Sequence, residues 1–144
     1  MGQIKKAAII GGGVIGGGWA ARFLLNGWDV SVFDLDSDAM RKIGEVLDNA
    51  RLSLPVLADA PMPKEGTLLF AETLKQAVAD ASWIQESVPE RLDIKHNVLG
   101  DIQAQCAPDA IIGSSTSGFK PSELRAGLLR PEQVIVAHPY NPVY

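Results

Sequence analysis

Short apolar runs alternate along the chain with longer segments in which apolar and polar residues are mixed. The runs are typical of β-strands buried in a sheet, and they lie at residues 7–10, 30–33, 68–71, 83–88, 111–112 and 134–137. Between the second and third runs, residues 37–54 have helical spacing, and apolar residues three and four positions apart predict one buried face. That face consists of Met40, Ile43, Leu47, Ala50 and Leu54.

Two more helices are predicted. One covers residues 14–26 and is closed by Gly27 as a left-handed cap. The other covers residues 92–106, with an inward face of Leu92, Leu99, Ile102 and Cys106. Residues 55–67 contain three prolines and a glycine, so they are predicted to be a loop. Strands that alternate with helices indicate an α/β fold, a doubly wound parallel sheet (Rossmann) of about six strands with helices on both faces.

Composition narrows the class of protein further. The 144 residues suffice for one domain. The net charge of −4, with no basic run, makes nucleic acid and anionic membranes poor partners. No apolar run approaches the roughly 20 residues of a membrane span. Cys106 is the single cysteine, which fits a reducing cytoplasm. The chain ends just after its last predicted strand, so we expect a second domain beyond residue 144.

A glycine-rich segment follows the first strand and opens the first helix. It consists of Gly11, Gly12, Gly13, Val14, Ile15 and Gly16. In this G-x-G-x-x-G pattern Gly11 permits a tight turn, Gly13 leaves room for a pyrophosphate, and Gly16 lets the helix pack on the strand. Asp34 ends the second strand, where a carboxylate can bind both hydroxyls of an adenine ribose and would repel a 2′-phosphate. The sequence therefore predicts NAD as cofactor rather than NADP.

Two polar segments follow the fifth and sixth strands. They are residues 114–118, Ser-Ser-Thr-Ser-Gly, and residues 138–142, His-Pro-Tyr-Asn-Pro. Serines after a strand also serve as turn and cap formers, and a histidine there can be structural. Because both segments are predicted at the carboxyl edge of the sheet beside the dinucleotide cleft, they are candidates for catalysis. No metal site is predicted.

With these segments and Glu86-Ser87-Val88-Pro89-Glu90 in the same order, the chain resembles the amino-terminal domain of the L-3-hydroxyacyl-CoA dehydrogenase superfamily over essentially its whole length. The resemblance implies His138 as general base, Ser117 as the serine bonded to the substrate's 3-hydroxyl, and Glu90 with Lys95 as cofactor-side contacts. For Glu90 and Lys95 a solvated pair at a helix start is the alternative. The resemblance also implies a glutamate partner for the histidine soon after residue 144, and beyond it a helical domain that supplies a further asparagine and the interface of a homodimer.

Within the superfamily, residues 83–91, 113–118 and 137–144 most resemble the members that oxidise L-carnitine, which implies this small molecule as substrate. Tyr140 and Asn141 are candidate substrate contacts, since a tyrosine ring attracts a trimethylammonium group. Ser115 stands where the acyl-CoA enzymes have asparagine, and residues 51–67 carry few positive charges for CoA phosphates. Oxidation of L-gulonate or of a 3-hydroxyacyl-CoA is an alternative, and so is a non-catalytic NAD-binding regulatory module.

Overall fold

A computed structural model describes residues 5–144 and contains one six-stranded sheet. Every neighbouring pair of strands is parallel, and the order is β3-β2-β1-β4-β5-β6. This is the strand order of a doubly wound dinucleotide-binding fold, so the predicted fold class is confirmed. The strands are β1 Lys6–Ile10, β2 Asp29–Phe33, β3 Leu68–Phe70, β4 Trp83–Glu86, β5 Ile111–Ser114 and β6 Val134–Val136.

Within the described part of the chain, five α-helices connect the strands, and a short 3-10 helix at Pro131–Gln133 precedes β6. They are α1 Val14–Leu25, α2 Ala39–Leu57, α3 Leu74–Val78, α4 Leu92–Gln103 and α5 Pro121–Arg125. Because successive residues of a strand point to opposite faces, β1 contributes to two cores. Ala7 and Ile9 pack in one core with α1 and α2, while Ala8 and Ile10 pack in the other with α3, α4 and α5.

The predicted helices occur, with corrected ends. Helix α1 ends at Leu25 and Gly27 has φ of +81°, as its predicted capping role requires. Helix α2 begins at Ala39 and continues past Pro55 to Leu57, so the predicted loop starts later than residue 55. Proline removes one helical hydrogen bond, but the amide of Ala58 still donates to Leu54 at 3.1 Å and closes the final turn. Helix α4 ends at Gln103, short of the predicted residue 106.

One detail of the predicted burial is wrong, and two short helices were not predicted. Met40 is 60% exposed, and the buried position at the start of α2 is Ala39 instead. Helix α3 and helix α5, each of five residues, are absent from the sequence-based assignment because one and a half turns carry too little periodicity to detect. None of the helices within residues 5–144 has the length and apolar character of a membrane span.

Candidate dinucleotide and substrate site

The glycine-rich turn between β1 and α1 is packed so tightly that two of its glycines exclude any side chain. Gly11 has φ of +100°, and a Cβ there would lie 2.5 Å from the carbonyl oxygen of Ser87. A Cβ on Gly16 would lie 1.7 Å from the carbonyl oxygen of Gly11. A Cβ on Gly13, by contrast, would meet no protein atom within 4 Å. Gly13 therefore borders open space, as a backbone that admits a pyrophosphate must.

The start of α1 faces the same space. Gly13 precedes the helix without a capping side chain, and the first turn holds no acidic residue. The amides and the positive end of a helix dipole in such a turn favour a bound anion. Val14 is 63% exposed at this helix start, whereas Ile15 is half-buried and Gly12 is buried. The geometry of the whole predicted motif fits the phosphates of a dinucleotide.

Asp34 directly follows β2 and is half-buried beside the glycine turn. Its Oδ2 accepts a hydrogen bond from the amide of Gly12, and its Oδ1 accepts one from the amide of Asp36 at 2.8 Å. Each carboxylate oxygen has a further lone pair, so these two bonds leave acceptor capacity for ribose hydroxyls. The amide of Gly12 thus fixes the carboxylate at the edge of the cleft.

The positive side chains that follow Asp34 are already engaged. Lys42 donates to Asp36 at 2.6 Å, and Arg41 forms ion pairs with Asp38 and Glu45. The hydrogen bond from Lys42 holds the pKa of the Asp36 carboxyl below its ordinary value. A 2′-phosphate next to Asp34 would have to break one of these ion pairs to gain a cationic partner.

A cleft of about 850 Å³ runs along the carboxyl edge of the sheet at the point where strand order reverses. The glycine turn and Asp34 form one wall, and the segment after β4 together with α4 forms the other. Among its lining residues are Gly11, Gly13, Asp34, Leu35, Ser87, Val88, Pro89, Ile94 and Val98. An apolar cleft with a few polar groups at its walls suits a nucleotide.

The segments after β4, β5 and β6 bring three predicted residues to the same edge. Glu90 accepts hydrogen bonds from the hydroxyl of Thr116 and from the amide of Ser117, the latter at 3.2 Å. His138 Nδ1 lies 3.3 Å from the carbonyl oxygen of Ser115. The side chains of Ser117, Glu90 and His138 are all exposed at this edge. Glu90 is thus bonded directly to the serine segment.

The candidate substrate contacts are less enclosed. Tyr140 is 88% exposed, and its ring centre lies 6.0 Å from that of His138 in an edge-on arrangement. Asn141 is also exposed. Their contact with substrate stays a prediction.

Lys95 lies in the interior, with 1% of its side chain exposed. Its ammonium group donates to Glu86 at 2.7 Å and to the carbonyl of Val88 at 3.3 Å, and no bond joins it to Glu90. The alternative of a solvated Glu90–Lys95 pair is therefore wrong. A buried charge needs a buried partner, and Glu86, which is 0% exposed, supplies it. A contact between Lys95 and the cofactor stays a prediction.

Sequence reasoning missed the polar network under the site. Glu86 accepts from the hydroxyl of Ser114 at 2.6 Å and from the amide of Val88 at 3.0 Å, in addition to Lys95. On the opposite face of β4, Gln85 bonds to Ser115 at 2.8 Å. One signal was available, because three consecutive polar residues, Gln85, Glu86 and Ser87, interrupt the apolar run 83–88, and the first two lie within β4. A polar pair inside a buried strand requires partners and so predicts a network.

The profile of a family described as "3-hydroxyacyl-CoA dehydrogenase, NAD binding domain" matches residues 6–144. The chain belongs to this family. As a member of it, the chain is an NAD-binding domain, and both the predicted cofactor and the predicted resemblance are confirmed.

Among curated proteins, the chain is 70% identical to the L-carnitine dehydrogenase/betainyl-CoA thioesterase of Ruegeria pomeroyi over 141 residues, which is 98% of this chain and 29% of that protein. It is 56% identical to the L-carnitine dehydrogenase of Mesorhizobium japonicum over 145 residues, which is 100% of this chain and 40% of that protein. The chain thus spans less than half the length of these members of the family.

Among solved structures, the chain resembles 5-formyl-3-hydroxy-2-methylpyridine 4-carboxylic acid 5-dehydrogenase, an NAD+-dependent dismutase. The TM-score is 0.86 at 33% identity, and the alignment covers 97% of this chain and 46% of that one. The similarity extends over the whole NAD-binding domain and confirms the fold of this family member.

Proposed function

We propose that the complete protein oxidises the 3-hydroxyl of L-carnitine to 3-dehydrocarnitine with NAD+, and that this chain provides the cofactor site together with the base and a serine. The observation that carries the proposal is the convergence of Ser117, Glu90 and His138 beside a dinucleotide cleft. The names of the relatives, at 56% and 70% identity, supply the substrate.

NAD+ would be held by groups at the carboxyl edge of the sheet. The amides at the start of α1 would bind the pyrophosphate, and Asp34 would accept hydrogen bonds from the ribose hydroxyls. Residues of the cleft wall such as Ile94 and Val98 would cover apolar surface. NAD+ supplies the hydride acceptor when it is bound.

Oxidation of a secondary alcohol requires that the hydroxyl oxygen lose its proton. A neutral imidazole near the working pH is suited to take it. With Nδ1 facing the carbonyl of Ser115, the Nε2 of His138 is the nitrogen left to act as base. Ser117 would hold the substrate oxygen in line through its hydroxyl, and Glu90 would keep the serine segment in place through the Ser117 amide.

The last part of α2, residues 51–57, gives a reason to favour a small substrate over an acyl-CoA. Its guanidinium group, that of Arg51, is bound to Glu65 at 2.7 Å and to Asp48 at 2.9 Å. Leu52, Val56 and Leu57, on the last turns of the helix, are more than 70% exposed and carry no charge. A surface of this kind offers little to the phosphates of CoA.

The test is kinetic and uses the complete gene product. His138→Gln should lower kcat for carnitine by a hundredfold or more, with little change in the Kd for NAD+, because a positioned base contributes about that much. Ser117→Ala should cost less. His96→Gln is the matched control, since His96 lies on α4, bonded to the carbonyl of Glu123. An unchanged rate in His138→Gln would reject His138 as the base, whereas no carnitine oxidation by the unmodified gene product would favour a non-catalytic regulatory module.

We also propose that a helical domain beyond residue 144 completes the substrate pocket and forms a homodimer in the cytoplasm. The exposure of Ser117, His138 and Tyr140 supports this, since a reacting centre is normally closed to water. Compared at equal concentration, the 144-residue chain should bind NAD+ but oxidise carnitine at least a hundredfold more slowly than the complete gene product. Equal rates would contradict the proposal. Light scattering on the complete product tests the dimer.

A further inference from the structure

Gln85 is a fully buried glutamine near the end of the central strand β4. Its Oε1 accepts from the indole nitrogen of Trp83 at 3.0 Å. Its Nε2 donates to the hydroxyl of Ser115 at 2.8 Å and to the carbonyl oxygen of Ala137 at 3.3 Å. The side chain amide thereby connects β4 to the residues that follow both β5 and β6.

Gly113 provides the room for this side chain. A Cβ at Gly113 would lie 2.7 Å from Oε1 of Gln85, 2.9 Å from the Trp83 ring and 3.1 Å from Cβ of Ala137. No residue larger than glycine fits at position 113 of β5 without displacing the Gln85 amide. The space and the amide that fills it are parts of one arrangement.

The orientation of the amide is determined by its partners. An indole N–H can only donate, so the Gln85 atom that faces Trp83 must be the oxygen, and the NH₂ group must face Ser115 and Ala137. The carbonyl of Ala137 can only accept, which fits the same orientation. The Ser115 hydroxyl then accepts from Gln85, and its own proton can go to the Ser87 hydroxyl, 2.8 Å away in the wall of the cleft.

Both residues that accept from the Gln85 amide belong to the surroundings of His138. Ala137 immediately precedes it, and Ser115 supplies the carbonyl oxygen that lies 3.3 Å from its Nδ1. The backbones of these segments are joined by the β5–β6 ladder and, just beyond it, by a hydrogen bond from the amide of Ala137 to the carbonyl of Ser114, at 2.8 Å. Among the described residues, removal of the Gln85 amide would leave only backbone bonds between β5 and β6 to hold the Ser115 carbonyl near His138.

We propose that Gln85 is a positioning residue that holds His138 against the carbonyl of Ser115, with the ring proton on Nδ1 and Nε2 open to substrate. The inference deepens the proposed function, because it assigns the tautomer in which His138 can act as base. A carbonyl oxygen accepts only from a protonated ring nitrogen, so a fixed distance to Ser115 selects the Nδ1–H form.

The tautomer can be read directly in the 144-residue chain by nitrogen-15 NMR of its two histidines. His96 is an internal reference, because its Nε2 lies 2.6 Å from the carbonyl of Glu123 and must carry the proton there. The two rings should therefore show opposite tautomers in the unmodified protein. His96→Gln assigns the signals, since the sequence contains only these two histidines.

Gln85→Met removes the amide at similar volume. We expect the His138 signals to lose their Nδ1–H pattern and become a mixture in which Nε2–H predominates, while those of His96 stay unchanged. Gln103→Met is the matched control, because Gln103 is also buried and bonds twice to the backbone of Arg130, at the opposite end of β6 from His138. It should leave both tautomers unchanged even if it lowers stability. Should Gln85→Met fail to fold, Trp83→Phe removes the donor that orients the amide and should reduce the Nδ1–H fraction.

An Nδ1–H pattern at His138 that persists in Gln85→Met, or in Trp83→Phe where only that variant folds, would overturn the inference. So would its absence from the unmodified protein. In the complete gene product, Gln85→Met should lower kcat about tenfold or more with the KM for NAD+ within twofold, as expected when a group that orients a reacting side chain is lost. The NMR result does not depend on turnover. Failure of the proposed function, seen as an active His138→Gln enzyme, is therefore distinguishable from failure of this inference.

Discussion

Replacement of Lys95 by methionine should destabilise the domain severely without affecting its surface. Lys95 and Glu86 form an ion pair with side-chain exposures of 1% and 0%. The substitution removes the ammonium group and keeps an unbranched side chain of similar length. Glu86 is then left as a buried carboxylate whose remaining donors are the Ser114 hydroxyl and the Val88 amide.

The expected magnitude follows from that burial. Loss of one partner from a buried ion pair costs about 3–5 kcal/mol. Two remaining hydrogen bonds place the expected loss at the lower end, about 3 kcal/mol. A domain of this length has a free energy of unfolding of about 7–20 kcal/mol at the usual stability per residue. Lys95→Met should therefore still fold, with its urea midpoint lowered by about 1–3 M for an ordinary denaturant slope.

The measurement is urea denaturation monitored by tryptophan fluorescence. The double variant Lys95→Met/Glu86→Gln removes the unpaired charge and should recover at least half of the loss, because a neutral amide is much less costly to bury than a carboxylate. Arg91→Met is the control from the start of the same helix, since the Arg91–Asp93 pair is largely exposed and its loss should leave the midpoint nearly unchanged. A loss below about 1 kcal/mol in Lys95→Met, or no recovery in the double variant, would refute the reasoning.

Three further predictions concern the cofactor side of the domain. Gly16→Ala should prevent folding or abolish NAD+ binding, because its Cβ would overlap the Gly11 carbonyl. Gly44→Ala, in open space on α2, should instead raise the free energy of unfolding by about 0.5–1 kcal/mol, and denaturation curves compare the two variants. Asp34→Ala should weaken NAD+ binding in calorimetry while the domain stays folded, and tighter binding of NADP than of NAD+ by the unmodified chain would contradict the assigned role. The ion pair with Lys42 lowers the pKa of Asp36 from an ordinary 3.8. The contribution of this ion pair to the free energy of unfolding, measured against Asp36→Asn, should therefore be complete above pH 3.8 and disappear as the pH falls through the lower pKa of the folded state.

The sequence sufficed to predict the parts of the molecule that local patterns determine. The apolar runs located all six strands, and Gly27 marked the end of α1 because a left-handed residue there requires glycine. Gly11, Gly13 and Gly16 could be assigned separate roles because the turn between strand and helix has a fixed geometry.

Features that depend on tertiary contacts were not predictable. Whether Lys95 lies in solvent or in the interior depends on Glu86, nine positions away on another element. The continuation of α2 through Pro55 runs against a strong local signal to stop, and Leu54, one residue before the proline, packs against the core that α2 shares with α1. The two acceptors of the Gln85 amide come from residues 30 and 52 positions further along the chain, so only the folded sheet brings them together.

The two adjacent polar residues of β4 have a consequence for how this domain can change under mutation. Gln85 and Glu86 occupy the middle of the sheet, where aliphatic side chains would pack without any need for partners. Selection for thermal stability alone would therefore favour apolar replacements of these two residues together with their partners. Such a lineage would keep its fold and lose the alignment of its reacting groups, so that a gain in robustness and a decline in turnover would arise from the same substitutions.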